Sequence, residues 1–334
     1  FYLSERLLIM NKPFKTYNQQ LKILRNRNLN IPNGSKALRI LRRENYYNII
    51  NGYKDIFLDK GYTTDRFKDG TSFDDIYALY SFDCNLRSIL LKYILRLESS
   101  LKTKVSYRFS EKYPSNFSYF DISNFRNNIE SVTNLIAHIS NVVKNNVEPP
   151  RAGIPISPFS HYLNTHKELP LWVLIKRLSL GETSYFYTSL TDDLKVKILN
   201  DIYTEYQQEY GIRPKKTAGT NEISSFSQMI RFIVIFRNLC AHGERTYDYV
   251  AKHKGHIPNI QFFYLSQSPR FTSKVVDVIR ILGLFLIKSD YKTLLKELSV
   301  EVKALSDELP QNTMNAVLIK LGFSKNWKSD LILP

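Results

Sequence analysis

Glycine and proline are scarce: 12 and 13 in 334 residues. That disfavours a turn-rich β architecture and suits long helices. Cysteine is scarcer still. Cys84 and Cys240 stand alone in the sequence, so they form no metal-ligand pair and no disulfide framework, which fits a reducing cytosol. Acids are in deficit, with 31 Asp and Glu against 47 Lys and Arg, a formal net charge of +16. Such an excess implies a polyanionic partner, nucleic acid first and an anionic membrane surface second. No apolar run approaches the roughly 20 residues of a spanning helix. The longest, at 279–287, is short and bounded by Arg280 and Lys288. The opening FYLSERLLIM is interrupted by Glu5 and Arg6 and makes a poor secretory leader, with Met10 a candidate start. A cytoplasmic protein is expected, with no membrane partner.

What is present is periodic. Leu86, Leu90, Tyr93, Leu97, Leu101 and Val105 form one stripe and predict a helix over about 74–109. Ser72 with Asp75 three residues on can start it. Arg87, Lys92, Lys102 and Lys104 fall on its outer side. Glu98 falls among the apolar positions, where it can pair with an arginine of the stripe formed by Arg231, Asn238, His242 and Arg245 or form a plain surface ion pair. Further helices are predicted over 123–144 (Val132, Leu135, Ile136 and Ile139 inward), 192–210, 273–287 and 290–305. Residues 169–190 read as core built on Trp172, Leu174, Ile175 and Leu178. The clearest interruption is EPPRAGIPISP at 148–158. Neither His161 with His166 nor His253 with His256 finds a third ligand at metal-like spacing, so no metal site is assigned.

Residues 12–43 are the most lopsided stretch. Lys12, Lys15, Lys22, Arg25, Arg27, Lys36, Arg39, Arg42 and Arg43 give nine cations with no acid among them. Two short helices are expected, the first burying Tyr17, Leu21 and Leu24. The second, capped by Ser35, buries Leu38 and Leu41. A charge run is often only a solvated face, but nine unopposed cations favour phosphate binding. Tyr46, Tyr47 and Tyr53 are read as packing a helix hairpin rather than stacking on bases.

The centre of the chain is SFSQMIRFIVIFRNLCAHGERTYDY, 225–249. It reads as one helix, apolar almost all round and therefore buried. At about 100° per residue, Arg231, Asn238, His242 and Arg245 share a narrow stripe, costly on a core helix unless paired or used. Arg237 stands about 140° from His242. For both to act on one atom the helix must break near 241–243, where Gly243 makes a break cheap. Otherwise Arg237 must curl round, or two copies must face each other. Read alone, His242 is a satisfied core histidine and the arginines hold acidic helix ends.

Arg237-Asn-Leu-Cys-Ala-His242 resembles the R-x4-H signature of the HEPN superfamily of helical, metal-independent ribonucleases. The fuller string RNLCAHGER resembles the abortive-infection (Abi-like, AbiD/AbiF) branch. Three other segments share the likeness: the N-terminus with its Lys12-Pro13-Phe14 and ALRILRRENYYNIINGY, residues 169–190, and the C-terminal NTMNAVLIKLGFSKNWKSDLIL with Met314, Gly322 and Trp327. In one related subgroup a tyrosine follows the histidine by two; here Glu244 stands there, so that regulation is not carried over.

The resemblance implies an all-α, HEPN-type helical bundle with an N-terminal basic helical extension. Its divisions would be 1–72, a helical domain at 73–305 and a tail at 306–334 packed on the core. It implies phage defence by RNA cleavage in a bacterial cytosol, with no metal and no cofactor. Arg237 would hold the scissile phosphate, His242 move the proton and Asn238 orient a ring nitrogen or the phosphate. Arg245 and Arg231 would add charge, as would Lys22, Arg25, Arg27, Lys36, Arg39, Arg42 and Arg43. One R-x4-H per chain implies a two-fold homodimer with the motifs facing across a cleft. The alternative is a protein that binds a dedicated small RNA in a riboregulated complex and cuts little or nothing. A DNA-binding regulator is weaker, since no helix-turn-helix spacing stands out.

Overall fold

In the computed structural model, residues 13–147, 157–212, 217–252 and 271–333 are described. Lys12, Met10, most of the 148–158 interruption and the His253–His256 pair lie outside them. Among the described residues there is no strand, only two isolated bridges. The class is all-α. No described helix is long and apolar enough to cross a membrane.

The chain divides into two compact units, 1–85 with 300–317, and 86–299 with 318–334. In the first, α1 (Tyr17–Asn26) and α2 (Gly34–Glu44) pack together. Leu21, Leu24, Ala37 and Leu41 are buried. Tyr17 is not: it lies exposed, with the Arg42 guanidinium 5.7 Å from its ring centroid. A phenol that keeps a cation over its face has no need of the core. Thr16 and Gln19 form a capping box at the start of α1. The cap of α2 is Asn33, not Ser35; its side chain accepts the Lys36 N–H at 2.9 Å. The loop that follows is pinned to this pair, with Asn30 N–H on the Thr71 carbonyl at 2.9 Å and Phe67 N–H on that of Arg27 at 2.8 Å. Tyr53 is buried and donates to Asp83 Oδ2 at 2.6 Å, so it packs as expected, whereas Tyr47, expected to pack beside it, lies exposed.

Helix α3 (Phe73–Lys112) starts as the sequence predicts. Ser72 N–H donates to Asp75 Oδ2 at 2.8 Å, and Asp75 N–H to Ser72 Oγ at 3.1 Å. Beyond residue 85 it belongs to the second unit, where the whole predicted stripe from Leu86 to Val105 is buried. Each such side chain contributes about 1.5–3 kcal/mol by leaving water. The longer helices of this unit after α3 are α4 (Ile129–Asn146), α5 (Leu180–Ser189), α6 (Asp192–Tyr210), α7 (Asn221–Ala241), α8 (Val275–Leu282) and the first half of α9 (Lys288–Glu308). The helix expected from residue 123 begins six residues later. Single turns at 118–120 and 122–124 precede it, and Asn128 caps it. Trp172, expected in the core, is exposed, while Leu174, Ile175 and Leu178 beside it are buried. At the C-terminus Gly322 has φ +82°, and an added Cβ would meet Val276 Cγ1 at 2.7 Å. Both its backbone and its bareness are needed.

Candidate functional site

Helix α7 is the centre of the second unit, packed against α5, α6 and α8. Phe226, Met229, Ile230, Phe232, Ile233, Phe236, Leu239 and Cys240 are buried on it. One stripe is not: Arg231 and Asn238 are exposed, and so is His242 just past the helix end. The polar stripe read from the sequence is therefore the solvent face of a core helix, and His242 is not a satisfied core histidine.

The helix does not run to residue 249. It ends at Ala241, with His242 as C-cap at φ −91°, ψ 2°. Gly243 follows at φ +70°. Glu244 N–H then reaches back to the Leu239 carbonyl at 3.0 Å, and Gly243 N–H to that of Cys240 at 3.4 Å. This is a Schellman termination, and it needs a residue that accepts positive φ. The helical wheel therefore stops governing the chain at His242, where the sequence had placed a break as one of three options. The turn is held from outside: buried Arg87, expected on the outer face of α3, donates to the Glu244 carbonyl at 3.3 Å. Arg245, half-exposed beyond the turn, pairs with Asp248 at 3.0 Å, and Lys320 approaches the same carboxylate at 3.5 Å.

Arg237 sits against Glu98. Its Nε lies 3.8 Å from Glu98 Oε2, a charge contact too long for a hydrogen bond. Both atoms are buried without a hydrogen-bond partner. The other oxygen, Oε1, takes Lys102 Nζ at 2.6 Å. One buried carboxylate thus faces two cations, and Lys102 has the better of it. The sequence offered Glu98 an arginine of the Arg231–Arg245 stripe or a plain ion pair; its arginine is Arg237, which lies off that stripe. Sequence reasoning missed Lys102, although a Glu four residues before a Lys on one helix is a recognisable pair.

The N-terminal cations belong to the first unit and are less unopposed than the sequence suggests. Arg27 pairs with Asp65 at 3.2 Å, Lys36 with Asp74 at 2.7 Å and Arg43 with Glu44 at 3.4 Å. Asp65 and Asp74 come from further along the chain, and Glu44 is the residue just after the 12–43 stretch, so a count over that stretch includes none of them. Lys22, Arg25 and Arg39 are exposed, with no acid at ion-pair distance among the described residues. Elsewhere, His161 and His166 lie ring to ring at 5.5 Å. No cluster of three or more His, Cys, Asp or Glu positioned for a metal occurs among the described residues.

The fold and site together describe an all-helical protein whose central helix opens an Arg-Asn…His string to solvent at its end. The sequence profile described as Abi-like protein matches residues 39–248, a span that ends just past that string. The chain belongs to the Abi-like family, and abortive infection is the family-level role that goes with membership. No curated protein and no solved structure matches it.

Proposed function

We propose that this chain is a metal-independent endoribonuclease of phage defence, HEPN-like in its chemistry, acting through Arg237, Asn238 and His242 in a cleft shared by two copies. The observation that supports this most is the exposure of Asn238 and His242 at the end of a helix buried on its other faces. Cleavage without metal uses the RNA's own 2′-hydroxyl. That hydroxyl must lose a proton, the leaving 5′-oxygen must gain one, and the phosphorane charge must be neutralised. A solvent-facing imidazole suits the proton transfer. A guanidinium suits the equatorial oxygens of the phosphate. Arg237 enters the site already leaning on Glu98, which orients its fork at the cost of some of its charge. Arg231 and Arg245 extend the cationic track. A two-fold partner would add a second string and bring a second His242 toward the same phosphodiester.

The test is RNA cleavage by the purified protein in excess chelator, with Arg237→Ala and His242→Ala compared against the parent. Both variants should stay folded and lose cleavage by about two to four orders of magnitude, the usual worth of a general acid–base or charge-stabilising group. Cleavage unchanged in the double variant, or wholly dependent on added divalent metal, refutes the reading. Sedimentation at low concentration tests the dimer.

A second reading has its own observation. Lys22, Arg25 and Arg39 form an exposed cationic surface in the first unit. Such a surface suits binding of a structured RNA without cutting. A discrete RNA species copurifying with the protein favours this riboregulated complex, and heterogeneous short fragments favour the nuclease.

A further inference from the structure

A second site lies in the 86–299 and 318–334 unit, built by α9 and the C-terminal turn Trp327–Asp330. It is a cavity of about 340 Å³, within the range of small-ligand pockets. Its walls are aromatic: Tyr210 from the end of α6, Tyr291 from α9, and Trp327, which stacks on Phe323 at 4.6 Å and 12°. Its rim is cationic. Lys288, Lys292 and Lys296 recur every four residues along α9, and Lys328 comes from the C-terminal turn. Lys292, Lys296 and Lys328 are exposed, with no acid at ion-pair distance among the described residues. Like charges four apart on a helix repel; Glu209 accepts the Lys288 backbone N–H at 2.7 Å at one end of the row, and an anion beside Lys292 and Lys296 would relieve the rest.

The hydroxyl of Tyr210, a lining residue, is buried and has no hydrogen-bond partner among the described residues. Tyr210 as a whole is 7% exposed. The Tyr291 hydroxyl differs, since it donates to the Leu331 carbonyl at 2.9 Å. A buried unpaired hydroxyl on a cavity-lining residue costs free energy that a ligand's polar group can recover on reaching it. Aromatic walls accept a flat ring by stacking, and a lysine rim accepts phosphate as point charges.

We propose that this cavity binds a nucleotide, its base against Trp327 and Tyr210 and its phosphate on Lys292, Lys296 and Lys328. The nucleotide is either free or the 5′-phosphorylated end of an RNA strand. The proposal does not depend on the cleavage reading, because no residue of the Arg237–His242 string lines the cavity.

The chain has two tryptophans, and Trp172 lines other cavities. A Trp172→Phe protein therefore reports the proposed site through Trp327 alone. Its fluorescence is titrated with ATP, with pyrophosphate, and with a short 5′-phosphorylated 2′-O-methyl oligouridylate that a 2′-hydroxyl-dependent nuclease cannot cut. Saturable quenching is expected with ATP or with the oligonucleotide. ATP saturation identifies a free nucleotide, and saturation by the oligonucleotide alone identifies an RNA end. Lys292→Glu with Lys296→Glu should weaken binding at least tenfold, and Lys292→Ala with Lys296→Ala serves if the charge reversal disturbs the fold. Tyr210→Phe should weaken it a few-fold. The proposal is overturned if neither ligand quenches saturably, if the lysine pair binds as tightly as the parent, or if pyrophosphate binds as tightly as ATP.

Discussion

Removing Glu98 and removing Arg237 should have opposite consequences for stability and for activity. At 3.8 Å the two charges attract by about 4 kcal/mol at the effective dielectric of a protein near its surface. Desolvation offsets most of that. In Arg237→Ala, Glu98 keeps its counter-ion Lys102 at 2.6 Å, and Oε2 loses only a charge contact and no hydrogen bond, so we expect a loss of about 1 kcal/mol or less. In Glu98→Ala, two cations share a half-enclosed space with no anion between them. Breaking one side of a buried pair costs about 3–5 kcal/mol. Because 28% of the Arg237 side chain remains in water, we expect about 2–4 kcal/mol. A domain of this size shifts by about 2–4 °C per kcal/mol, which gives up to about 4 °C for Arg237→Ala and about 4–16 °C for Glu98→Ala. Thermal unfolding followed by fluorescence, alongside RNA cleavage in chelator, separates the two. Arg237→Ala should abolish cleavage with little effect on stability, and Glu98→Ala should destabilise the protein while keeping part of the cleavage below its own unfolding temperature. If Arg237→Ala unfolds as early as Glu98→Ala, the arginine is a structural counter-ion and the assignment of a catalytic arginine fails.

Three further outcomes follow from the structure. Gly243→Ala, which forces a Cβ into φ +70°, should cost about 1 kcal/mol and lower cleavage by shifting His242; unaltered melting and cleavage would show that the Schellman turn does not position the histidine. Burial pushes the Tyr206 phenol up to about 12, and it raises Tyr187 and Tyr291 as well. Stability from these raised pKa values is fully present below about pH 10 and is lost as pH rises toward and through the folded values. A phenolate absorbance titration should therefore show exposed tyrosines ionising first and the buried group only as the fold opens; one smooth transition near pH 10 would contradict this. Reversing Lys22, Arg25 and Arg39 to Glu should weaken RNA binding and flatten its dependence on log salt, by about 0.7 for each phosphate of a single strand that the protein no longer neutralises; an unchanged slope would remove this surface from RNA binding.

Much of the framework could be read in the sequence because it depends on neighbours along the chain. The α3 stripe, the Ser72–Asp75 cap and the span of α6 follow from helical spacing and local hydrogen bonds. The errors have two sources. Tyr17 and Trp172 are apolar residues that the fold leaves at the surface, since a core is closed by helices from elsewhere in the chain. The single helix expected over 225–249 extends a periodic pattern past Gly243, where the backbone changes hand and periodicity ends.

On its own the sequence determined the helical class, the family likeness, and a polar stripe on an otherwise apolar helix. These follow from residue order, and local spacing is enough to express them. Only the tertiary structure decided that His242 faces water, that Glu98 holds Arg237 in competition with Lys102, and that Asp65 and Asp74 neutralise part of a cationic arm. It also brought Tyr210, Trp327 and a row of lysines around one cavity. Each of those depends on segments far apart in the chain, and a charge or a ring acquires its partner only when packing brings such segments within a few ångströms.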